Sequence, residues 1–271
     1  MEFYGLLGER LSHSLSPKIN KLILEKNNDE GAYKLFEIPK DKLGDFVDAI
    51  KILKIKGFNV TIPYKESVMK YLDYISDEAS RIGAVNTVIL KDNKLYGYNT
   101  DYFGIEVMIK SKNIIIKNKI AVILGSGGAC KAVATYLLDN EIEKIYIVSR
   151  NPINLDLNNK NKKISIINYD ELRDMKGDLI INTTPVGMYP NINEAIVNNE
   201  IMKKFEVAID LIYNPTKTKF LQIAEEEGKV ALGGLLMLVG QAVKSQSIFN
   251  DREINEELIS YVYDDIVKYF N

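Results

Sequence analysis

Cysteine and histidine each occur once in the 271 residues, as Cys130 and His13. A single cysteine excludes an internal disulfide framework and gives no thiolate cluster for a metal, so no metal site is expected. A single histidine confines the residue most often used for proton transfer near neutrality to one loop position, between Ser12 and Ser14. Neither sign of charge is in excess: 35 Lys and Arg against 37 Asp and Glu leave a formal charge of −2. Nothing in that balance suggests a basic face for nucleic acid. No apolar run approaches the ~20 residues that a membrane-crossing helix requires. Glu2 leads straight into a strand-like run, so no signal peptide is expected and the chain reads as a soluble cytosolic protein. Its length is sufficient for two domains.

Glycine is concentrated where it matters most. Residues 120–130 read IAVILGSGGAC: an apolar run ends in Gly125, Ser126, Gly127 and Gly128 and passes into the helix-like KAVATYLL. This is the strand, glycine turn and helix of a dinucleotide-binding βαβ unit. A pyrophosphate reaches helix N–H groups only where no Cβ obstructs the turn. The pattern departs from GxGxxG, because Cys130 holds the third glycine position. A plain tight turn in an α/β protein is the competing reading. Cys130 itself reads as a small buried filler, with a reactive thiol as the alternative. The second apolar strand, at 144–148, ends in Ser149 and Arg150 where an NAD site usually carries an acidic residue. A guanidinium suits a 2′-phosphate and a carboxylate would repel one, which favours NADP over NAD. A solvated strand-end charge is the plainer alternative for Arg150.

The first hundred residues repeat strand, loop and helix without that glycine turn. EFYGLLG at 2–8 is a strand; a loop with three hydroxyls, Ser12, Ser14 and Ser16, then enters a helix in which Ser16 is expected as N-cap and Pro17 as first residue. A strand at 33–38 and a helix at about 39–53 follow. GFNVTIP at 57–63 is another strand, placing Thr61 at its end and Lys65 at the start of a helical stretch extending over 67–82. Residues 83–90 and 94–97 form a hairpin about Asp92-Asn93. Asn99 or Thr100 then caps a helix whose first turn holds Asp101. With one histidine available, Lys65 is the better candidate for proton transfer and Asp101 its candidate orienter.

Further along, the lysine-bearing stretch at 158–163 reads as a solvated turn, and strands are expected at 164–167, 178–184 and 207–212. Tyr213-Asn214-Pro215 ends the last of these, and Thr216 or Thr218 starts the next helix. Gly233-Gly234 opens a long apolar helix over 235–249, in which Met237 and Gln241 share a face. A final amphipathic helix spans 254–270.

Taken together, SHSLSP (12–17), NVTIPYKE (59–66), GAVNT (83–87), NTDYFG (99–104), LGSGGA (124–129), NTTPVGM (182–188), DLIYNPTKT (210–218) and GGLLMLVGQ (233–241) closely resemble the shikimate dehydrogenase family, block for block and in order. The resemblance implies an α/β protein. Its N-terminal α/β substrate domain, 1–101, is completed by C-terminal helices, 238–271, around an intervening Rossmann-like NADP-binding domain, 102–237. The implied reaction is reversible NADPH-dependent reduction of 3-dehydroshikimate to shikimate, on the way to chorismate and aromatic amino acids. Lys65 and Asp101 match the family's catalytic pair. Ser14, Ser16, Thr61, Asn86, Tyr213 and Gln241 match its other substrate contacts. Gly125, Ser126, Gly127, Gly128, Ala129, Ser149, Arg150, Leu211 and Gly234 match its cofactor positions, with Asp77 an occasional addition. The family often carries Asn-Arg-Thr with a further basic residue after the second Rossmann strand; here the order is Ser149-Arg150-Asn151-Pro152, and one guanidinium is securely placed. Two alternatives accompany this reading: a quinate/shikimate dehydrogenase using NAD as well as NADP, and a non-catalytic shikimate-binding sensor. Shikimate and 3-dehydroshikimate are the expected small-molecule partners, with no nucleic acid, no membrane, and a monomer or homodimer.

Overall fold

The structure, a computed structural model, describes residues 1–150 and 161–270. The chain divides into two compact units, Met1–Gly104 with Val239–Asn271, and Ile105–Leu238.

The first unit is built on a mixed sheet. Its strands are β1 (Glu2–Gly8), β2 (Gly31–Glu37), β3 (Gly57–Val60), β4 (Tyr74–Ile75), β5 (Thr87–Lys91) and β6 (Lys94–Tyr98), with helices α1 (Ser16–Lys26), α2 (Leu43–Ile52) and α3 (Asp77–Ile82) between them. The sheet order is β2-β1-β3-β5-β6-β4. β1 pairs in parallel with β2 and β3, whereas β5 runs antiparallel to both β3 and β6. This arrangement turns one edge into a gathering point. The C-terminal ends of β1, β3 and β6 and the N-terminal end of β5 all emerge on the same side, as the pairs Leu7↔Val60, Asn59↔Thr87 and Thr87↔Tyr98 require. Phe46, Ile50, Phe58, Val68, Val88 and Leu95 are part of the core that holds the sheet.

Helix α4 (Asp101–Lys110) leads out of this unit into a wholly parallel sheet. In chain order its elements are β7 (Ile120–Leu124), α5 (Gly128–Asp139), β8 (Lys144–Val148), β9 (Ile164–Ile167), α6 (Tyr169–Leu172), β10 (Leu179–Asn182), α7 (Asn199–Met202), β11 (Val207–Asp210), α8 (Lys219–Glu226) and β12 (Val230–Gly233). Strand order β12-β11-β10-β7-β8-β9 is, from the other side, 3-2-1-4-5-6 counted from β7. The near-continuous apolar strands suit a sheet covered on both faces: IAVIL and LIIN are almost entirely buried. Two helices complete the chain, α9 (Leu235–Phe249) and α10 (Glu256–Val267), the latter packing on α1. No helix among the described residues is long and apolar enough to cross a membrane.

Three local expectations are corrected. Ser16 is not the N-cap of α1 but its first residue; Leu15 is already helical, and the Ser14 hydroxyl, 3.2 Å away, accepts the Ser16 N–H. Lys65 does not begin a helix. Its carbonyl accepts the Val85 N–H at 2.8 Å, and that tie to the β5 entry holds residues 61–68 in turns. Nor is 67–82 one helical stretch. Asp73 exchanges backbone and side-chain hydrogen bonds with Leu95, which draws β4 onto β6 and splits the stretch into a single 3-10 turn at Met69–Tyr71 and the helix α3. Long-range pairing here overrides a weak helical periodicity.

Candidate active site

At the gathering edge of the mixed sheet, Lys65 Nζ donates to Asp101 Oδ2 at 2.6 Å. Asp101 enters α4 as its first residue, its N–H held by the Asn99 side chain at 3.1 Å. The Lys65 side chain keeps 18% of its surface and Asp101 only 7%, so the lysine remains reachable while its partner does not. The second Asp101 oxygen accepts from Asn86 Nδ2 at 2.8 Å. Asn86 in turn accepts the Thr100 N–H at 2.7 Å. Thr100 Oγ1 also reaches Gln241 Oε1 on α9 at 3.4 Å.

Lys65, Asp101, Asn86 and Gln241 are thus brought into one hydrogen-bonded group, although up to 176 positions separate them in the chain (65 to 241). Ser14 and Ser16 lie on the loop and first turn following β1, and Thr61 follows β3 directly, its N–H donating to the Leu7 carbonyl. They leave the sheet at the same edge, with no direct bond to the lysine–aspartate pair. Asp77 opens α3, whose cap is the neighbouring Ser76. His13 is exposed on its loop.

Sequence reasoning missed the layer beneath this group. Asn59, Thr87, Thr100 and Ser245 are all buried and mutually hydrogen-bonded, with Thr87 Oγ1 donating to Asn86 Oδ1 at 3.0 Å. The signal was present in NVT, GAVNT and NTD, where polar residues sit at buried strand ends, and a buried hydroxyl needs partners.

In the parallel sheet every expected cofactor position except the α5 turn residues follows a strand's C-terminal end. Gly125 follows β7, Ser149 and Arg150 follow β8, Leu211 follows β11 and Gly234 follows β12. Gly125 adopts φ +101, and a Cβ there would lie 2.8 Å from Thr184 Cγ2 and 2.9 Å from Thr183 Oγ1. Thr183 is itself tied across the strand-order reversal, its N–H and hydroxyl both donating to the Leu124 carbonyl. At Gly234 a Cβ would collide with the Leu211 carbonyl. Gly127 differs: a Cβ would meet nothing within 4 Å. Internal packing therefore does not account for a glycine there. No side chain caps α5, whose N-cap is Gly127. A bare helix N-terminus over open space at the switch point of a parallel sheet fits a pyrophosphate. Ser126 and Ser149 hydroxyls stand 3.4 Å apart beside it, and Arg150 is exposed at the end of β8. Residues 151–160, which include Asn151, Pro152 and the start of the lysine-bearing stretch, lie outside the described residues. Cys130, behind the turn, is completely buried, and desolvation pushes its thiol up to about 12, which makes it a packing residue.

Two buried polar groups organise the loops after β10 and β11. Asp210 accepts from Asn182 Nδ2 and the Ile212 N–H, both at 3.0 Å, and from the Thr218 hydroxyl at 2.6 Å. Burial pushes its carboxyl up to about 6 against the lowering effect of those three donors. Asn182 in turn accepts the Thr184 N–H and hydroxyl. Tyr213 projects from the same loop, and burial raises its phenol pKa.

A 3-2-1-4-5-6 parallel sheet with an open glycine turn at its reversal, carried with a second unit that holds a partly accessible lysine on a buried carboxylate, defines a dinucleotide-dependent oxidoreductase. Residues 6–88 match the model described as shikimate dehydrogenase substrate binding domain. A shikimate dehydrogenase (NADP(+)) of Clostridium beijerinckii is 52% identical over 263 residues, covering 97% of each chain. The chain belongs to the shikimate dehydrogenase family. Among solved structures, shikimate dehydrogenase 1 of Peptoclostridium difficile superposes with a TM-score of 0.96 at 52% identity, covering 100% of this chain and 99% of that one. The Thermus thermophilus shikimate 5-dehydrogenase, solved with NADP(H) and shikimate, gives 0.86 at 29% identity over 98% and 99%.

Proposed function

We propose that this chain catalyses the reversible NADPH-dependent reduction of 3-dehydroshikimate to shikimate. The observation that carries the reading is the 2.6 Å Lys65–Asp101 pair, held by Asn86 at the sheet edge from which the serine-bearing loop also leaves. Bound NADPH supplies the hydride. Lys65, in its ammonium form, delivers the proton that the carbonyl oxygen takes up as the C3 centre becomes an alcohol. In the oxidative direction its free amine takes that proton back. Asp101 holds the lysine by accepting from Nζ, and Asn86 keeps the carboxylate from turning. Ser14, Ser16, Thr61, Tyr213 and Gln241 supply the hydroxyl and amide groups that a polyhydroxylated carboxylate needs. Gly125 to Ala129, with Leu211 and Gly234, accommodate the dinucleotide backbone. Ser149 and Arg150 receive the 2′-phosphate, and Asp77 is a supplementary contact.

In this reading unit 1–104 with 239–271 is the substrate-binding and catalytic domain, and unit 105–238 the dinucleotide-binding domain. The enzyme acts in the cytoplasm as a monomer or homodimer. One unpaired, buried thiol suits a reducing compartment, and light scattering on the eluted protein reads the assembly.

Lys65→Met preserves the stem of the side chain and removes its proton. It is expected to lower kcat by about 10³-fold or more while leaving the KM for shikimate within a few-fold. Near-parental turnover by a folded Lys65→Met enzyme would overturn the assignment.

A further inference from the structure

Behind the lysine–aspartate pair, hydrogen bonds form a continuous chain that reaches the carboxylate through Asn86 and begins at Tyr33, Asn59 and Thr87, which make no bond to the lysine. The Tyr33 hydroxyl donates to Asn59 Oδ1 at 2.9 Å. Asn59 Nδ2 donates to Thr87 Oγ1 at 3.0 Å, and Thr87 Oγ1 donates to Asn86 Oδ1 at 3.0 Å. Asn86 Nδ2 then donates to Asp101 Oδ1 at 2.8 Å. From Asn59 to Asp101 every member is at most 5% exposed, so solvent does not substitute for a missing link. The orientation of the Asn86 amide is fixed by the partners on its two sides. The Thr100 N–H can only donate, and an ionised Asp101 can only accept, so the Asn86 amide has one orientation compatible with both.

Within that chain Thr87 is the junction. Its oxygen lies 2.9 Å from Ser245 Oγ and 3.1 Å from Thr100 Oγ1, which are themselves 3.0 Å apart. Ser245 Oγ donates to the Gln241 carbonyl at 2.8 Å and receives Asn59 Nδ2 at 2.8 Å. Asn86 Oδ1 accepts from Thr87 Oγ1 at 3.0 Å and also from Thr100 Oγ1 at 3.2 Å, and donation into an amide oxygen strengthens the amide N–H as a donor on its far side. We propose that Thr87 is a positioning residue for the reaction: through Asn86 it fixes the carboxylate on which Lys65 rests. The inference depends on the Lys65–Asp101 reading given above.

The test is a double-mutant cycle in the full-length enzyme, with kcat expressed per NADPH-binding site. Thr87→Val replaces the hydroxyl by a methyl of similar volume. Alone it is expected to lower kcat about fivefold to tenfold, the effect of one net hydrogen bond, with the KM for NADP within twofold. Thr87→Ser is expected to restore kcat to within about twofold of the parent, because it keeps the oxygen. In an Asn86→Ala background Thr87→Val is expected to cost less than about twofold further, since the group through which it acts is gone. Ser245→Ala serves as a second variant, with a smaller loss that also vanishes without Asn86. Equal losses from Thr87→Val with and without Asn86, or parental turnover by Thr87→Val, would overturn the positioning role. Lys65→Met separates the two levels. If it abolishes turnover while the cycle is additive, only the Thr87 inference fails; if it turns over normally, the underlying reading fails as well.

Discussion

Asp210 is the most heavily bonded buried carboxylate in the parallel-sheet unit among the described residues. Its three donors do not fully offset desolvation, and its carboxyl stands at about 6 against 3.8 for a free aspartate. The native state therefore holds this proton more tightly than the unfolded chain does. Stability contributed by the group is fully present below about pH 4 and is lost as pH rises through about 6. Comparing urea midpoints of parent and Asp210→Asn at pH 4.5 and pH 7 isolates it. The parent's stability relative to the variant should fall between those two pH values by about 2 kcal/mol. An unchanged difference would show that Asp210 is not buried as described. At this scale the sequence was only partly legible. Lys65 and Asp101 were accessible to reasoning because a chain with one histidine narrows the choice of proton carriers. Thr87, Ser245 and Asp210 were not, because their roles depend on partners 158 and 28 positions away, Ser245 for Thr87 and Asn182 for Asp210, which no local pattern announces.

Among the elements, the strand–turn–helix at β7 and α5 was legible because each part has a local cause: an apolar run, glycines at the turn, and a helix-forming stretch. Residues 61–76 were not. Their conformation is set by ties from Lys65 to Val85 and from Asp73 to Leu95, so Lys65 sits in a turn rather than on a helix. Short β12 was unread for a similar reason, being defined by pairing with β11. Its exit carries a strict packing demand, since Gly234 lies against the Leu211 carbonyl. Gly234→Ala is expected to destabilise the protein by about 1–3 kcal/mol, as overpacking against backbone does, read as a lower urea midpoint at unchanged slope. A midpoint equal to the parent's would contradict that close approach. Gly127, where a Cβ meets nothing, has no such packing requirement.

For the whole molecule, the two sheets divide the labour by topology. In the mixed sheet, parallel and antiparallel pairing bring loops after β1, β3 and β6 to one edge, where the lysine–aspartate pair is assembled. In the parallel sheet, every strand leaves its C-terminal end toward the positions expected to hold a dinucleotide, and the order reverses between β7 and β10. The glycine turn with Ser149 and Arg150 made the second arrangement readable from the chain, and the ordered blocks made the first readable by family resemblance. The most direct measurement is the initial rate of reduced-cofactor formation, crossing shikimate and quinate with NADP and NAD. The account predicts strong turnover with shikimate and NADP, and much weaker rates when either is exchanged. No turnover in any pairing by a protein that still binds shikimate would contradict it, and comparable rates with quinate and NAD would contradict its specificity.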